Sequence, residues 1–191
     1  MSTYNIEKIF DIPIYSCQIN NLENVTHELN SCIDNIEFNM KEEWGQTHFL
    51  SDVNFQEDSI QKYKLSNLWN EINISLHLYC NEINFKITDY HMKSWFSLFK
   101  KNNYAHMHDH SGSDISGVYY HKTNGNDGDL VFVNTNPYSK MSRCFNHYSP
   151  SWTHKPSVGK LILFPSWLQH GVKTNETDNT RVSFSFNINF T

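Results

Sequence analysis

Apolar positions in the first part of the chain recur at three- and four-residue spacing. Leu22, Val25, Leu29, Cys32, Ile33 and Ile36 form one such stripe, and Leu65, Leu68, Trp69, Ile72, Leu76, Tyr79, Cys80 and Ile83 form a longer one. That period predicts two amphipathic helices. Asp58 and Gln61 have the spacing of a capping box ahead of the second. A short strand is expected before them over 10–19, where Ile12, Ile14, Tyr15, Cys17 and Ile19 cluster.

Beyond residue 85 the period shortens to two. Strands are expected over 87–100, 104–110, 114–121, 130–134, 160–164, 170–173 and 181–190. Turn-forming clusters separate them: Asn124-Gly125-Asn126-Asp127-Gly128, 134–137 and 175–179. Alternation is strictest at the C-terminus. Arg181, Ser183, Ser185, Asn187 and Asn189 take one face, and Val182, Phe184, Phe186, Ile188 and Phe190 take the other. Helices followed by many short strands indicate an α+β protein whose second half is a sandwich or barrel. The expected organisation is one domain over 1–191, mainly helical over 1–85 and mainly β over 86–191.

Composition narrows the function classes. Aromatic residues make up 15% of the 191 positions, and the net charge is −5 with histidines neutral. The largest basic run is Lys100-Lys101. A negative chain without a basic patch disfavours bulk binding to a phosphate backbone. No run of 18 apolar residues exists, so no membrane span is expected. Residues 1–10 lack the basic-then-apolar order of a secretory signal. Cys17, Cys32, Cys80 and Cys144 form no C-x-x-C pair, which fits reduced thiols and a cytoplasmic location.

Three segments carry chemistry. In His106-Met107-His108-Asp109-His110, strand alternation puts three imidazoles on one face and Asp109 on the other. Neutral imidazole suits iron, zinc, copper and nickel. In Phe164-Pro165-Ser166-Trp167-Leu168-Gln169-His170-Gly171-Val172, a lone histidine opens a strand beside a glycine. Eleven residues later, Arg181 and Ser183 lie at i and i+2 and can reach one carboxylate together. Trp95, Tyr104, Tyr119, Tyr120 and Trp167 are candidate pocket walls, and the long loop over 137–156, with Arg143, His147 and His154, is a candidate cover.

The order of these segments, together with Ser116-Gly117-Val118-Tyr119-Tyr120, Gly159–Val172 and Arg181–Asn187, resembles the 2OG-Fe(II) oxygenases common in marine bacteria and their phages. The resemblance covers roughly residues 90–190. It implies a double-stranded β-helix (jelly-roll) core carrying the N-terminal helices. It also implies Fe(II), 2-oxoglutarate and O2 as cofactor and cosubstrates, with hydroxylation of a substrate C–H bond and release of succinate. His108 and His170 match the family's metal-binding histidines, and His110 stands where the wider superfamily has Asp or Glu. Arg181 and Ser183 match the anchor for the distal carboxylate of 2-oxoglutarate, and Tyr119 is counted with them as a cosubstrate contact.

The usual non-haem iron triad is two histidines and a carboxylate, and no H-x-D or H-x-E occurs in this register. Asp114 swinging in as the carboxylate, or His106 replacing His108 as first ligand, are the alternatives to His108, His110 and His170. A three-histidine, cupin-like metalloenzyme indifferent to 2-oxoglutarate is the rival enzyme reading, and a jelly-roll binding protein the rival outside catalysis. The substrate is open between a small molecule and a peptide. No membrane partner is expected, and a homodimer is allowed for.

Overall fold

The computed structural model describes residues 11–136, 138, 141 and 151–191. Its elements run β1 (Tyr15–Gln18), α1 (Leu22–Ile33), β2 (Asn39–Met40), a 3-10 turn (Glu42–Trp44), β3 (Phe49–Leu50), α2 (Ser59–Lys62) and α3 (Ser66–Glu82). After these come β4 (Tyr90–Phe99), β5 (Ala105–His108), β6 (Ile115–Lys122), β7 (Leu130–Val133), β8 (Ser151–His154), β9 (Lys160–Pro165), β10 (His170–Val172) and β11 (Arg181–Phe190). The strands form a seven-stranded sheet in the order β1-β9-β6-β11-β4-β3-β2 and a four-stranded sheet in the order β5-β10-β7-β8, with antiparallel pairing throughout both. This is the two-sheet arrangement of a double-stranded β-helix, in agreement with the expected fold class.

The large sheet is buried on both faces. One face meets the helices: Val25, Leu29, Leu68, Ile72 and Leu76 pack with Phe96, Tyr119, Leu161, Leu163, Phe184 and Phe186. The other faces the small sheet, where Val118, Tyr120, Ile162 and Phe164 meet Leu130, Phe132 and Leu168. A strand buried on both sides reads as a continuous apolar run, which is why Leu161–Phe164 shows no polar alternation. β11 keeps its predicted bounds and its alternation, with Val182, Phe184, Phe186 and Ile188 all on the helix-side face.

Three local features depart from the sequence pattern. The second helix is split. Asp58 caps it as expected, accepting from the Ile60 N–H at 3.1 Å, but Lys64 turns left-handed at φ +55°. The Leu65 N–H then closes back on the Ile60 carbonyl at 2.9 Å. That is a Schellman-type stop, and it is hard to anticipate because the left-handed residue is usually glycine. Secondly, β8 falls in the stretch read as loop. It is a polar, largely exposed edge strand with no apolar signal. Thirdly, the N-terminal part adds β2 and β3 to the large sheet besides its helices and the expected leading strand β1. Arg143, His147 and Cys144 lie outside the described residues. No helix of the described residues is long and apolar enough to cross a membrane.

The helical layer is fastened by two carboxylates acting in opposite directions. Glu28 of α1 accepts from the Asn67 and Leu68 N–H groups at 2.9 and 3.0 Å, capping α3. Glu71 of α3, buried, accepts from the Asn20 and Asn21 N–H groups at 3.2 Å each, at the start of α1. Neither helix has a side-chain cap of its own; α1 supplies the acceptor for two first-turn N–H groups of α3, and α3 the acceptor for the N-cap Asn21 and the preceding Asn20 of α1. Glu28→Ala is expected to lower the unfolding free energy by about 1–2 kcal/mol in urea denaturation, with Glu28→Gln falling between it and wild type. No change for Glu28→Ala would refute the mutual capping.

Candidate active site

The small sheet places two histidines side by side. β10 pairs with β5 so that His170 lies opposite His108 and Val172 opposite Ala105. Two residue steps in β10 therefore span three in β5, which is a β-bulge. The extra residue changes which side chains share a face. His108 turns inward, whereas His106 stays outside and packs edge-on against Tyr104 at 4.9 Å. The expectation that His106, His108 and His110 share one face is thus corrected. A glycine permits the bulge, because a Cβ at Gly171 would lie 2.8 Å from the Met107 sulfur and 3.0 Å from the Ala105 carbonyl oxygen.

His110 reaches the same place from beyond the end of β5. Its N–H donates to the Ser166 carbonyl at 2.8 Å, tying the Asp109–Ser113 turn to the turn after β9. One ring nitrogen from each of His108, His110 and His170 lies within 4.8 Å of the other two, a metal-sized cluster. It is the one such group among the described residues. Asp114 stays out, since its carboxylate accepts from the Phe190 N–H at 2.8 Å. Asp109 is engaged by Ser111 through both its N–H and its hydroxyl.

The ring orientations suit metal binding. His108 Nδ1 pairs with the His106 carbonyl at 2.7 Å, which the bulge turns towards it, and His170 Nδ1 pairs with the Leu168 carbonyl at 2.8 Å. A carbonyl requires Nδ1 to carry the proton, so Nε2 is left as a lone-pair donor in both rings. Burial lowers all three basicities: His108 falls below its ordinary value, His110 to about 4 and His170 to about 3. The imidazoles are therefore neutral at pH 7, the state a metal requires.

A cleft between the sheets, enclosing about 590 Å³ including its open mouth, joins this cluster to Arg181 and Ser183. Arg181 is 2% exposed. Its guanidinium lies 4.1 Å from the Phe99 ring centre and 5.6 Å from that of Tyr120. Nη1 donates to the Gly128 carbonyl at 2.7 Å, while Nε has no partner among the described residues. Gly128 sits at φ +105° with Arg181 Nη1 only 3.5 Å from where a Cβ would be, a conformation and an approach that favour glycine. No ion pair reaches Arg181 among the described residues. A cation this deep without a carboxylate is costly, and the group that would complete it is an anion entering the cleft.

Other assignments need revision. Tyr119 is not in the cleft. It points to the helix side of β6, fully buried among Leu161, Phe184 and their neighbours, because 115, 117 and 119 share that face. Tyr120, one residue on, takes the cleft side beside Arg181. Trp95 lines the cleft and meets His110 edge-on at 5.9 Å. Trp167 is 52% exposed. His154 lies on β8 against Phe132 at 5.9 Å, away from the cleft lining. Sequence reasoning missed His48, a buried lining residue in the stretch between β2 and β3, where no periodicity marks it.

The chain is similar to known proteins in sequence family over part of its length and in fold. A family model described as "Putative 2OG-Fe(II) oxygenase" matches residues 93–187. A Pseudomonas putida prolyl-4-hydroxylase superposes with a TM-score of 0.63 at 14% identity, covering 94% of each chain. HygX from Streptomyces hygroscopicus, with nickel, 2-oxoglutarate and hygromycin B bound, gives 0.62 at 11% identity, covering 94% of this chain and 84% of that one. The chain spans 48% of the length of a Burkholderia pseudomallei oxidoreductase of the 2OG-Fe(II) oxygenase family, at a TM-score of 0.47. No curated protein matches the sequence.

The depressed histidine basicities have a thermodynamic consequence. Unfolded, His170 titrates near its ordinary value of 6.5; folded, near 3. Below pH 6.5 the unfolded chain binds the extra proton, so this contribution is intact above 6.5 and is lost as pH falls towards 3. Metal-free protein should lose unfolding free energy on going from pH 7 to pH 4.5. The loss attributable to His170 is at most about 1.4 kcal/mol per pH unit. His170→Gln should flatten the slope in urea titrations; an unchanged slope would mean that His170 is not buried neutral.

Proposed function

We propose that this chain, which belongs to the 2OG-Fe(II) oxygenase family, holds iron on His108, His110 and His170 and grips the distal carboxylate of 2-oxoglutarate with Arg181 and Ser183. The protein is an Fe(II)- and 2-oxoglutarate-dependent oxygenase. The observation that carries the site assignment is the buried, carboxylate-free Arg181 opening into the same cleft as the three-histidine cluster.

The residues present fit the cofactor. Two Nδ1 protons committed to backbone carbonyls set the tautomer and aim Nε2 into the cluster. Arg181, with a buried Nε still unmatched, fits an incoming carboxylate. When bound, iron with 2-oxoglutarate and O2 supplies the oxidising power, one oxygen atom entering a substrate C–H bond and the other the succinate formed with CO2. The protein binds, orients and keeps water out. Trp95, Val118 and Phe164 wall the cleft, and Ser183 on β11 lies beside Arg181 to share the carboxylate. No side chain is needed as nucleophile or as general acid or base.

The rival three-histidine reading without 2-oxoglutarate leaves Arg181 with no anion to meet. We further take residues 1–191 as one oxygenase domain acting in the cytoplasm on a small molecule or peptide, without bulk nucleic-acid binding. A homodimer and a phage source are compatible with the same reading.

Anaerobic addition of Fe(II) and then 2-oxoglutarate tests the assignment through the visible charge-transfer band of a chelated 2-oxo acid. His170→Ala should abolish both iron binding and the band. Arg181→Ala should keep iron but need roughly 10–100-fold more 2-oxoglutarate, the equivalent of about 1.5–3 kcal/mol. A band insensitive to Arg181→Ala would overturn the anchor. Iron binding with no band at all would favour the rival. Gly171→Ala, by pressing on Met107 and the bulged backbone, should weaken iron binding about tenfold, measured in the same titration.

A further inference from the structure

His48 lies outside the residues matched by the family model, yet it lines the cleft. It is 6% exposed, and its ring lies parallel to that of Phe99, with 4.5 Å between centroids and 6° between planes. The same Phe99 ring supports the Arg181 guanidinium at 4.1 Å. Phe99 and Arg181 are also backbone partners across β4 and β11, so the three side chains form one stacked unit. His48 is held at its edge as well, its Nδ1 3.0 Å from the Thr47 hydroxyl. The Thr47 carbonyl accepts from the Tyr104 N–H at 3.1 Å. Tyr104 directly precedes β5, the strand that carries His108. Thr47-His48 is thereby wedged between the strand that backs Arg181 and the strand that brings in the first histidine.

We propose that His48 is a positioning residue for cosubstrate binding: its ring, stacked on Phe99, fixes the aromatic surface on which Arg181 lies and so sets where the guanidinium fork points. This rests on the assignment of Arg181 as the 2-oxoglutarate anchor. A phenylalanine ring with no support behind it could tilt, and a cation resting on that ring would move with it. Fork-to-carboxylate bonding depends on orientation as well as distance. An imidazole suits this position because it stays neutral there. Burial, with the neighbouring Arg181 charge, lowers its basicity to about 4, so it offers an aromatic face without a second cation beside the first. The short segment over 41–57 thus completes a pocket whose other walls come from the β core.

The test uses the full chain and the Fe(II)/2-oxoglutarate titration, with steady-state succinate release alongside. His48→Ala should raise the 2-oxoglutarate needed for half-maximal band by about fivefold to tenfold, as expected when the Phe99 ring under the cation loses its backing and the guanidinium is held less well. KM for 2-oxoglutarate should rise in parallel and more than kcat falls, while Fe(II) half-saturation moves less than twofold. His48→Phe, which keeps the stack and loses the polar edge, should recover most of the affinity; His48→Gln, which keeps a polar edge and loses the ring, should not. Should His48→Ala fail to fold, the Phe and Gln pair carries the same comparison. The proposal is overturned if His48→Ala binds 2-oxoglutarate like wild type, or if Gln restores binding as well as Phe. Failure of the underlying anchor assignment looks different: Arg181→Ala would then leave the wild-type titration unchanged.

Discussion

The structure is organised around one buried charge that has no ion-pair partner among the described residues. Arg181 sits at the start of the central strand β11, nearly inaccessible, with a single described hydrogen bond from Nη1 and two aromatic rings for company. Carboxylates at Asp127 and Asp129 act on it only from a distance. Burying such a cation costs several kcal/mol after relaxation, and the fold bears that cost through the apolar faces around it. Strands β4, β6 and β11 are locked by long antiparallel registers and by cores on both sides. A site that stays unsatisfied until an anion arrives keeps interaction free energy in reserve for that anion, because the donor is already oriented and already dry.

The proposed iron ligands complement this charge. Three imidazoles contribute no negative charge, and their depressed basicities keep protons from competing near neutral pH. On the proposed assignment, a divalent cation held by neutral ligands keeps its full charge toward the rest of the cleft, with Arg181 as the second cation in the same cleft. A dianion with a carboxylate at each end suits that pair, and a neutral or monoanionic ligand would leave one pole unmet. A carboxylate in place of His110 would remove one unit of charge from the metal end. On that assignment, preference for a dicarboxylic cosubstrate would follow from two positive centres sharing one cleft as well as from hydrogen bonding.

Legibility in the sequence tracked how directly each feature depends on side-chain period. β11 could be read end to end because one face is apolar and the other polar without exception. The grouping of His108, His110 and His170 is legible in residue type and order, but the faces on which His106 and His108 lie are not. That depends on the bulge in β5, which moves His106 out by inserting one residue and leaves no mark in residue type beyond Gly171. Tyr119 and Tyr120 were hard to tell apart because both are buried, and only the register of β6 against β11 gives one to the helices and the other to the cleft. The stop at Lys64 was hidden because the residue that turns left-handed is neither Gly nor Asn. β8 and His48 were illegible for a common reason. One is a polar edge strand and the other sits in an irregular segment, and each is placed by partners distant in sequence.

That last point bears on how the N-terminal half relates to the β core. Its strands β2 and β3 extend the large sheet beside β4, with Leu50 opposite Ser97 and Phe49 opposite Leu98. This pairing brings His48 to the level of Phe99, one residue beyond the paired segment. Behind the sheet, α1 and α3 cap one another through Glu28 and Glu71 and cover the apolar face of β11. Removing either contribution would act on the same strand, since β11 is backed by the helices and pairs with β4, and both presentations end at Arg181. The helices pack on the strand from one side, and the 41–57 segment, through His48 on Phe99, backs the guanidinium from the other. The part of the chain with the least recognisable sequence is therefore mechanically continuous with the residue on which cosubstrate binding is proposed to depend.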